Sequence, residues 1–346
     1  MEVRAIQIHP ADPSRYLLVT VDTEEEGLWG GQYRRDGNTV RNVIEGVPRF
    51  QELCDQLELK PVYLIDYPVV EDERAAALLQ QFAAADRCEI GAHLHPWCNP
   101  PHGAYQFPRD SYLMNLPDEL QRAKLQQLTE AIEQRFGRRP RSFRAGRYGL
   151  DVRGARLLAE LGYRVDSSVI AFSSFTADGG PDFTDAPWQP YWVRTAEASS
   201  LLEPAEEGDL LEVPVSVGYS RARFGWRHRL RRRLERSWLR RVKVVGVVDR
   251  LGIARRVKFS PEQADAAAML AFVEAAVAQG AWCLVMMFHS SSLVAGFSPY
   301  VRDKKDLREF FARIREVLQG CRALGFRTVT FQEVWRKLAP QRSVAE

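Results

Sequence analysis

Cysteine is scarce in this 346-residue chain and has no pattern: Cys54, Cys88, Cys98, Cys283 and Cys321 are odd in number, scattered, and include no Cys-x-x-Cys pair. That excludes a disulfide framework as the basis of the fold and points to a reducing compartment. Long apolar runs are also missing. The longest, 281–288, falls far short of the roughly 20 residues that a membrane-crossing helix needs. The first ten residues carry no basic-then-apolar signal pattern, so a cytoplasmic protein is expected. There is no internal repeat and no extended low-complexity tract. What remains is an ordinary globular composition, 45% hydrophobic and 27% charged, on a chain long enough to bury a substantial core.

Acidic residues are nearly missing from one stretch. Between residues 219 and 258, thirteen arginines and two lysines face only Glu235 and Asp249, a local charge of +13 in a chain whose net charge is +3. The remainder is therefore net acidic, and the basic arm needs its own explanation.

Elsewhere the chain alternates strand and helix. The pattern predicts strands at 16–22, 61–65, 88–95, 142–145, 163–169, 210–217, 281–288 and 327–331. Helices are expected at 47–57, 71–85, 117–136, 151–161, 261–279, 304–324 and 332–338, and residues 171–208 read as loops. Alternation of this kind builds a parallel α/β sheet, open or closed into a barrel, with functional groups at the C-terminal strand ends. Chemistry-bearing residues stand at those ends. Leu-Val-Thr-Val-Asp-Thr-Glu-Glu (18–25) delivers Asp22 and Glu24 to one face of an extended chain. Glu-Ile-Gly-Ala-His-Leu-His-Pro-Trp (89–97) does the same with His93 and His95. Phe-Arg-Ala-Gly-Arg-Tyr-Gly (143–149) brings Arg144, Arg147 and Tyr148. Asp166 ends a fourth segment and His289 a fifth.

These five stretches, in this order, resemble the polysaccharide deacetylase family, also called NodB-homology or carbohydrate esterase family 4. The resemblance runs from about residue 17 to 335, interrupted at 171–258. It implies a distorted (β/α) barrel in a single catalytic domain over 1–346, with a loop-rich and basic insertion at about 171–258. It also implies a divalent metal, most commonly Zn2+, and hydrolysis of N-acetyl or formyl groups on sugars. By resemblance Asp22 is the general base, oriented by Arg144, and Glu24, His93 and His95 are the metal ligands. His289 is the proton donor, held charged by Asp166, and a backbone N–H near Tyr148 helps stabilise the oxyanion. Trp97, Arg147 and Tyr148 are expected to contact substrate.

Two departures stand out. The family's usual Asp-Asp pair is Asp22-Thr23 here, with the second acid shifted to Glu24. Its usual histidine pair is four residues apart, yet four beyond His93 lies Trp97, so His95 must serve, with His102 and Cys98 in reserve. The expected substrate is an N-acetylated sugar in a lipid- or nucleotide-linked envelope-glycan precursor. Hydrolysis of another C–N bond such as a cyclic amide, or silent binding to glycans or anionic surfaces, are the alternatives. In the basic arm, Trp226, Leu230, Leu234, Trp238 and Leu239 interleave the arginines, an amphipathic pattern suited to anionic membrane or lipid phosphate at the inner face of the membrane. No nucleic-acid motif accompanies the charge.

Overall fold

The computed structural model describes residues 8–10, 12–31, 33–236 and 244–339. Strand β1 (Arg15–Thr23) is buried on both faces, as a central parallel strand must be. After α1 (Arg41–Gln56) comes β2 (Val62–Ile65), fully buried. The helix expected over 71–85 is two, α2 (Tyr67–Glu71) and α3 (Glu73–Ala84). They part at Asp72, whose carboxylate caps α3 by accepting from the Arg74 and Ala75 amides. Then follow β3 (Glu89–Leu94), α4 (Asp118–Phe136), β4 (Ser142–Ala145), α5 (Val152–Glu160) and β5 (Val165–Asp166). β5 is much shorter than the expected 163–169, and just beyond it the Ser167 and Ser168 hydroxyls bond the Val213 carbonyl and Asp166.

The expected loop stretch contains β6 (Ser173–Ser174), β7 (Asp182–Phe183) and β8 (Tyr191–Val193). The strand expected over 210–217 divides into β9 (Leu210–Glu212) and β10 (Val217–Tyr219). The basic arm carries α6 (Phe224–Arg236), α7 (Val244–Arg250) and β11 (Arg256–Lys258). It is followed by α8 (Ala266–Val277), β12 (Cys283–His289), α9 (Lys304–Ala323), β13 (Phe326–Thr328) and α10 (Phe331–Leu338). α8 begins later than expected. Its cap is Asp265, accepting from the Ala268 amide, so Pro261 and Glu262 stay outside the helix.

The main sheet has the order β12-β1-β2-β3-β4-β5-β9-β8, with β13 also on β1. All its pairings are parallel except β8 with β9. β13 and β2 share one edge of β1, at residues 15–17 and 20–23 respectively. The ring is completed by single contacts in place of a ladder. The Val285 amide donates to Ser216 Oγ at 2.8 Å, the Met287 amide to the Phe259 carbonyl at 3.2 Å, and Gln189 bridges to Trp282 and Cys283. This is a distorted (β/α) barrel, and the C-terminal ends of β1, β3, β4 and β12 meet at one rim.

The basic arm is less free than an amphipathic membrane helix would be. Phe224 stacks on Phe272 with ring centroids 6.0 Å apart, Tyr219 Oη and His228 Nδ1 lie 3.0 Å apart, and Leu230 and Leu234 are half-buried. Trp226 alone of the interleaved apolar residues on α6 is exposed. Trp238 and Leu239 lie outside the described residues, as do Arg240, Arg241 and Lys243.

Candidate active site

Asp22, Glu24 and Glu25 leave β1 in succession and all three are buried. The turn is fixed from behind. The Glu24 amide donates to Ser290 Oγ, and Asn42 Nδ2 donates to both the Glu24 carbonyl and Ser290 Oγ. Arg144 on β4 is fully buried. It donates to Asp22 Oδ1 at 2.5 Å and Thr20 Oγ1 at 3.0 Å, and its other nitrogens reach the carbonyl and hydroxyl of Ser167. Burial alone would raise the Asp22 pKa, but the Arg144 guanidinium and neighbouring histidines bring it down to about 2. Asp22 is therefore an anion throughout the physiological range.

The two histidines present the same tautomer logic. His93 Nδ1 donates to the Arg144 carbonyl at 2.9 Å, and His95 Nδ1 donates to Glu25 Oε2 at 2.8 Å. Their Nε2 atoms then turn to Glu24 Oε2, at 3.5 Å and 3.4 Å. Glu24, His93 and His95 together offer ligand atoms all within 4.8 Å of one another. Two residues apart at a strand end, the histidines share a face, and their rings meet edge to face at 4.6 Å. Burial holds His93 down to about 3 and His95 down to about 4, so both are neutral and can act as ligands. Burial, together with Asp22, Glu25 and Asp66, pushes Glu24 well above the usual carboxylate range. A divalent cation is the partner that would relieve that cost.

Glu25, Asp66, His95 and Cys98 form a second group of candidate ligand atoms. Its hydrogen bonds give it a supporting role. Glu25 accepts from His95 Nδ1 and from Trp97 Nε1 at 2.6 Å, Asp66 accepts from the Glu25 amide, and Cys98 Sγ points to the His95 carbonyl. These residues fix the orientation of the His95 ring, which Trp97 also stacks upon at 4.3 Å. His102 belongs to neither group.

On the opposite wall, His289 ends β12. Its partner is Glu262, where the sequence pointed to Asp166. Glu262 Oε2 accepts from His289 Nδ1 at 2.9 Å, while Oε1 accepts from the His289 amide and from Ser292 Oγ. Asp166 instead faces its register partner Glu212. Asp166 Oδ1 accepts from Ser168 Oγ and Glu212 Oε1 from the Val169 amide, and burial pushes both carboxyl pKa values up. Among the described residues no hydrogen bond or ion pair joins Asp166 to His289. Glu262 escaped sequence reading because Ser-Pro-Glu looks like the opening of a helix.

A cleft of about 170 Å³ lies between these groups, with Trp29, Tyr33, Trp97, Arg147 and Tyr148 on its walls. Trp29 meets His289 edge-on at 5.0 Å and Tyr33 meets Trp97 at 4.5 Å. Arg147 and Tyr148 both have left-handed backbone, φ 52° and 62°, a conformation that costs a non-glycine residue free energy and turns both side chains out of the β4 path. Arg147 is spent on Ser111 and Asp178 and lies 4.3 Å over the Tyr112 ring. Tyr148 Oη accepts from Lys258 Nζ at 2.8 Å. Lys258 arrives from the basic arm, a contribution that its charge-rich surroundings concealed in the sequence. Burial would lower its pKa, but Tyr148, Glu262 and Asp22 raise it, so it is a cation.

No protein-family model matches this sequence, and no curated protein matches it. Solved structures do. One, from Parabacteroides distasonis, is described as a glycoside hydrolase/deacetylase; the two are 15% identical, with a TM-score of 0.62 over 97% of this chain and 74% of that one. Another is PuuE allantoinase, 12% identical, with a TM-score of 0.55 over 96% of this chain and 94% of that one. With its strand order, the chain shares the fold of these two proteins, a distorted (β/α) barrel of the NodB-homology type.

Proposed function

We propose that the chain is a metal-dependent hydrolase that removes an N-acetyl or N-formyl group from an amino sugar carried on a lipid- or nucleotide-linked glycan precursor. The observation that carries this reading is the convergence of the Glu24 carboxylate with two neutral imidazole Nε2 atoms, between an Arg144-paired Asp22 and a Glu262-paired His289. The donor set fits a divalent cation: one carboxylate and two imidazoles suit zinc, and both Nδ1 atoms are already committed elsewhere. A cation held there supplies Lewis-acid polarisation of an amide carbonyl and lowers the pKa of a nearby water toward about 7.

In this reading Asp22 accepts the proton of the attacking water, with Arg144 fixing its orientation and charge. His289 carries a proton to the leaving nitrogen, and the Glu262 carboxylate stabilises the imidazolium. The peptide N–H near Tyr148 donates to the developing oxyanion. Lys258 holds the Tyr148 ring in place through its hydroxyl. Trp29, Tyr33 and Trp97 offer aromatic faces to a sugar ring. Hydrolysis of a cyclic amide is the second reading, favoured by the fold shared with an allantoinase.

Metal analysis of the purified chain, combined with a screen for acetate or formate release from N-acylated sugars, tests the proposal. One equivalent of a divalent ion that is lost in Glu24→Ala, with acid release dependent on it, is expected. A chain that binds no ion, or that opens cyclic amides and releases no acid from any sugar, overturns it.

A further inference from the structure

Among the described residues, the basic arm leaves three guanidinium groups around one hollow with no carboxylate in an ion pair with them. Arg221 and Arg223 lie between β10 and α6, and Arg227 lies in the first turns of α6. With Trp226 and Ile253 they line a cleft of about 320 Å³. Arg227 is fixed in place: Nε donates to the Ala222 carbonyl at 2.6 Å, and Nη1 donates to the Ile253 carbonyl. Burial, then the proximity of Arg221 and Arg223, lowers its pKa. Arg221 lays its guanidinium across Gly252, 3.5 Å from where a Cβ would stand. Among the described residues, neither the Arg221 nor the Arg223 side chain makes an ion pair.

The rest of the arm behaves differently. Arg231 pairs with Glu235 and Asp249, Arg232 with Asp185, and Arg255 with Asp265. These pairs take three of the arm's fifteen basic side chains, and none of the three at the hollow is among them. Apolar groups flank it. Trp226 is 49% exposed and Leu251, next to Gly252, is 58% exposed.

We propose that this hollow binds the phosphate headgroup of an anionic membrane lipid, with Trp226 and Leu251 entering the interface beside it. Planar guanidinium donors lining one hollow match the oxygens of a phosphate. A tryptophan beside arginines is the pairing that favours a lipid headgroup over a free phosphate ester. The hollow is joined to the catalytic cleft through the β10–β11 ladder. Lys258, which touches Tyr148, is the register partner of Val217. Arg221 follows Val217 by four residues, so their backbones are at most ~14 Å apart. Binding here and hydrolysis at the cleft use different residues, so either can fail without the other.

Co-sedimentation of the full chain with vesicles of phosphatidylcholine, alone or mixed with phosphatidylglycerol, tests the proposal. Wild type should bind only the anionic vesicles. Arg221→Gln with Arg223→Gln should weaken binding about 30-fold, from the loss of two charges near the surface. Arg221→Lys with Arg223→Lys should recover most of it, and Trp226→Ala should weaken it. Lys304→Gln with Arg308→Gln on α9, an equal change of charge, should stay within about threefold of wild type. Equal losses in the α9 pair, wild-type binding by the glutamine pair, or no recovery by the lysine pair each overturn the proposal. Titration with inorganic pyrophosphate separates the sources: pyrophosphate bound through Arg221 and Arg223, with no vesicle binding, would assign the hollow to soluble phosphate esters and refute the lipid.

Discussion

Replacing Glu262 with glutamine tests the least expected feature of the cleft. Glutamine keeps the size of the side chain and an acceptor oxygen for the His289 amide and Ser292, but removes the negative charge 2.9 Å from His289 Nδ1. A carboxylate and an imidazolium about 4 Å apart between charge centres attract by ~4 kcal/mol at an effective dielectric constant of about 20. The His289 side chain is 18% exposed, and solvent screening reduces that attraction to roughly half, about 2 kcal/mol. If the imidazolium forms on the way to products, kcat should fall about 30-fold. Bound metal should be unchanged, because Glu262 touches none of the three candidate ligands. The comparison variant is Asp166→Asn, which should keep kcat within about threefold, because its partner is Glu212. Initial rates of acetate release, metal content and Tm measured on both variants decide the matter. Wild-type kcat in Glu262→Gln, or an equal loss in Asp166→Asn at unchanged Tm, would refute the assignment.

Asp22→Asn should retain the metal and lose about 10²–10⁴ in rate; if it strips the ion in metal analysis, the roles of Asp22 and Glu24 are exchanged. Lys258→Met should lower kcat about tenfold by releasing the Tyr148 hydroxyl, at unchanged metal content, whereas Lys258→Arg should recover part of the loss; equal kinetics in wild type and Lys258→Met would make the contact merely structural. Added zinc should raise Tm more at pH 8 than at pH 5.5. Glu24 has a folded-state pKa raised above its unfolded value, so its contribution to apo stability is complete below the unfolded pKa and falls as pH rises toward the folded one. A cation replaces the missing proton where that loss is greatest, and protons compete with it at low pH. Equal Tm shifts at the two pH values, measured by calorimetry, would count against Glu24 as a ligand.

Residues whose position follows from strand periodicity were legible. Asp22 and Glu24 share a face because they are two apart on a strand, and so do His93 and His95; the same rule placed Arg144 and His289 at strand ends. Long helices such as α4 and α9 matched within a residue or two, since apolar repeats and caps mark them. What failed depended on contacts distant in sequence. Asp166 is acidic and ends a strand, so nothing local separates it from a site residue; only the approach of β9 reveals Glu212 as its partner. Glu262 reaches His289 because the cap at Asp265 delays α8. In the sequence Lys258 is one charge among fifteen, and its meeting with Tyr148 depends on the β10–β11 ladder.

That ladder also changes what the basic arm is. An appended basic arm could be removed without consequence for the cleft. Here Val217 pairs with Lys258 and Tyr219 with Arg256, and Phe224 packs on Phe272 of α8, so the arm is stitched into the barrel at both ends. Its first strand follows Ser216, whose hydroxyl accepts from β12, and its last strand precedes Phe259, whose carbonyl does the same. The arm and its flanking residues therefore close the ring between β9 and β12. Excising 220–255 should accordingly do more than abolish vesicle binding. With Tyr219 joined directly to its register partner Arg256, no turn residues remain and the β10–β11 ladder cannot form, so β12 loses the support that holds His289 opposite Asp22 and Lys258 loses its place against Tyr148. The excised chain is expected to show a lower Tm and to lose hydrolysis of even a small soluble N-acetyl sugar, while Arg221→Gln with Arg223→Gln keeps both. Full activity in the excised chain would mean that the barrel closes without the arm.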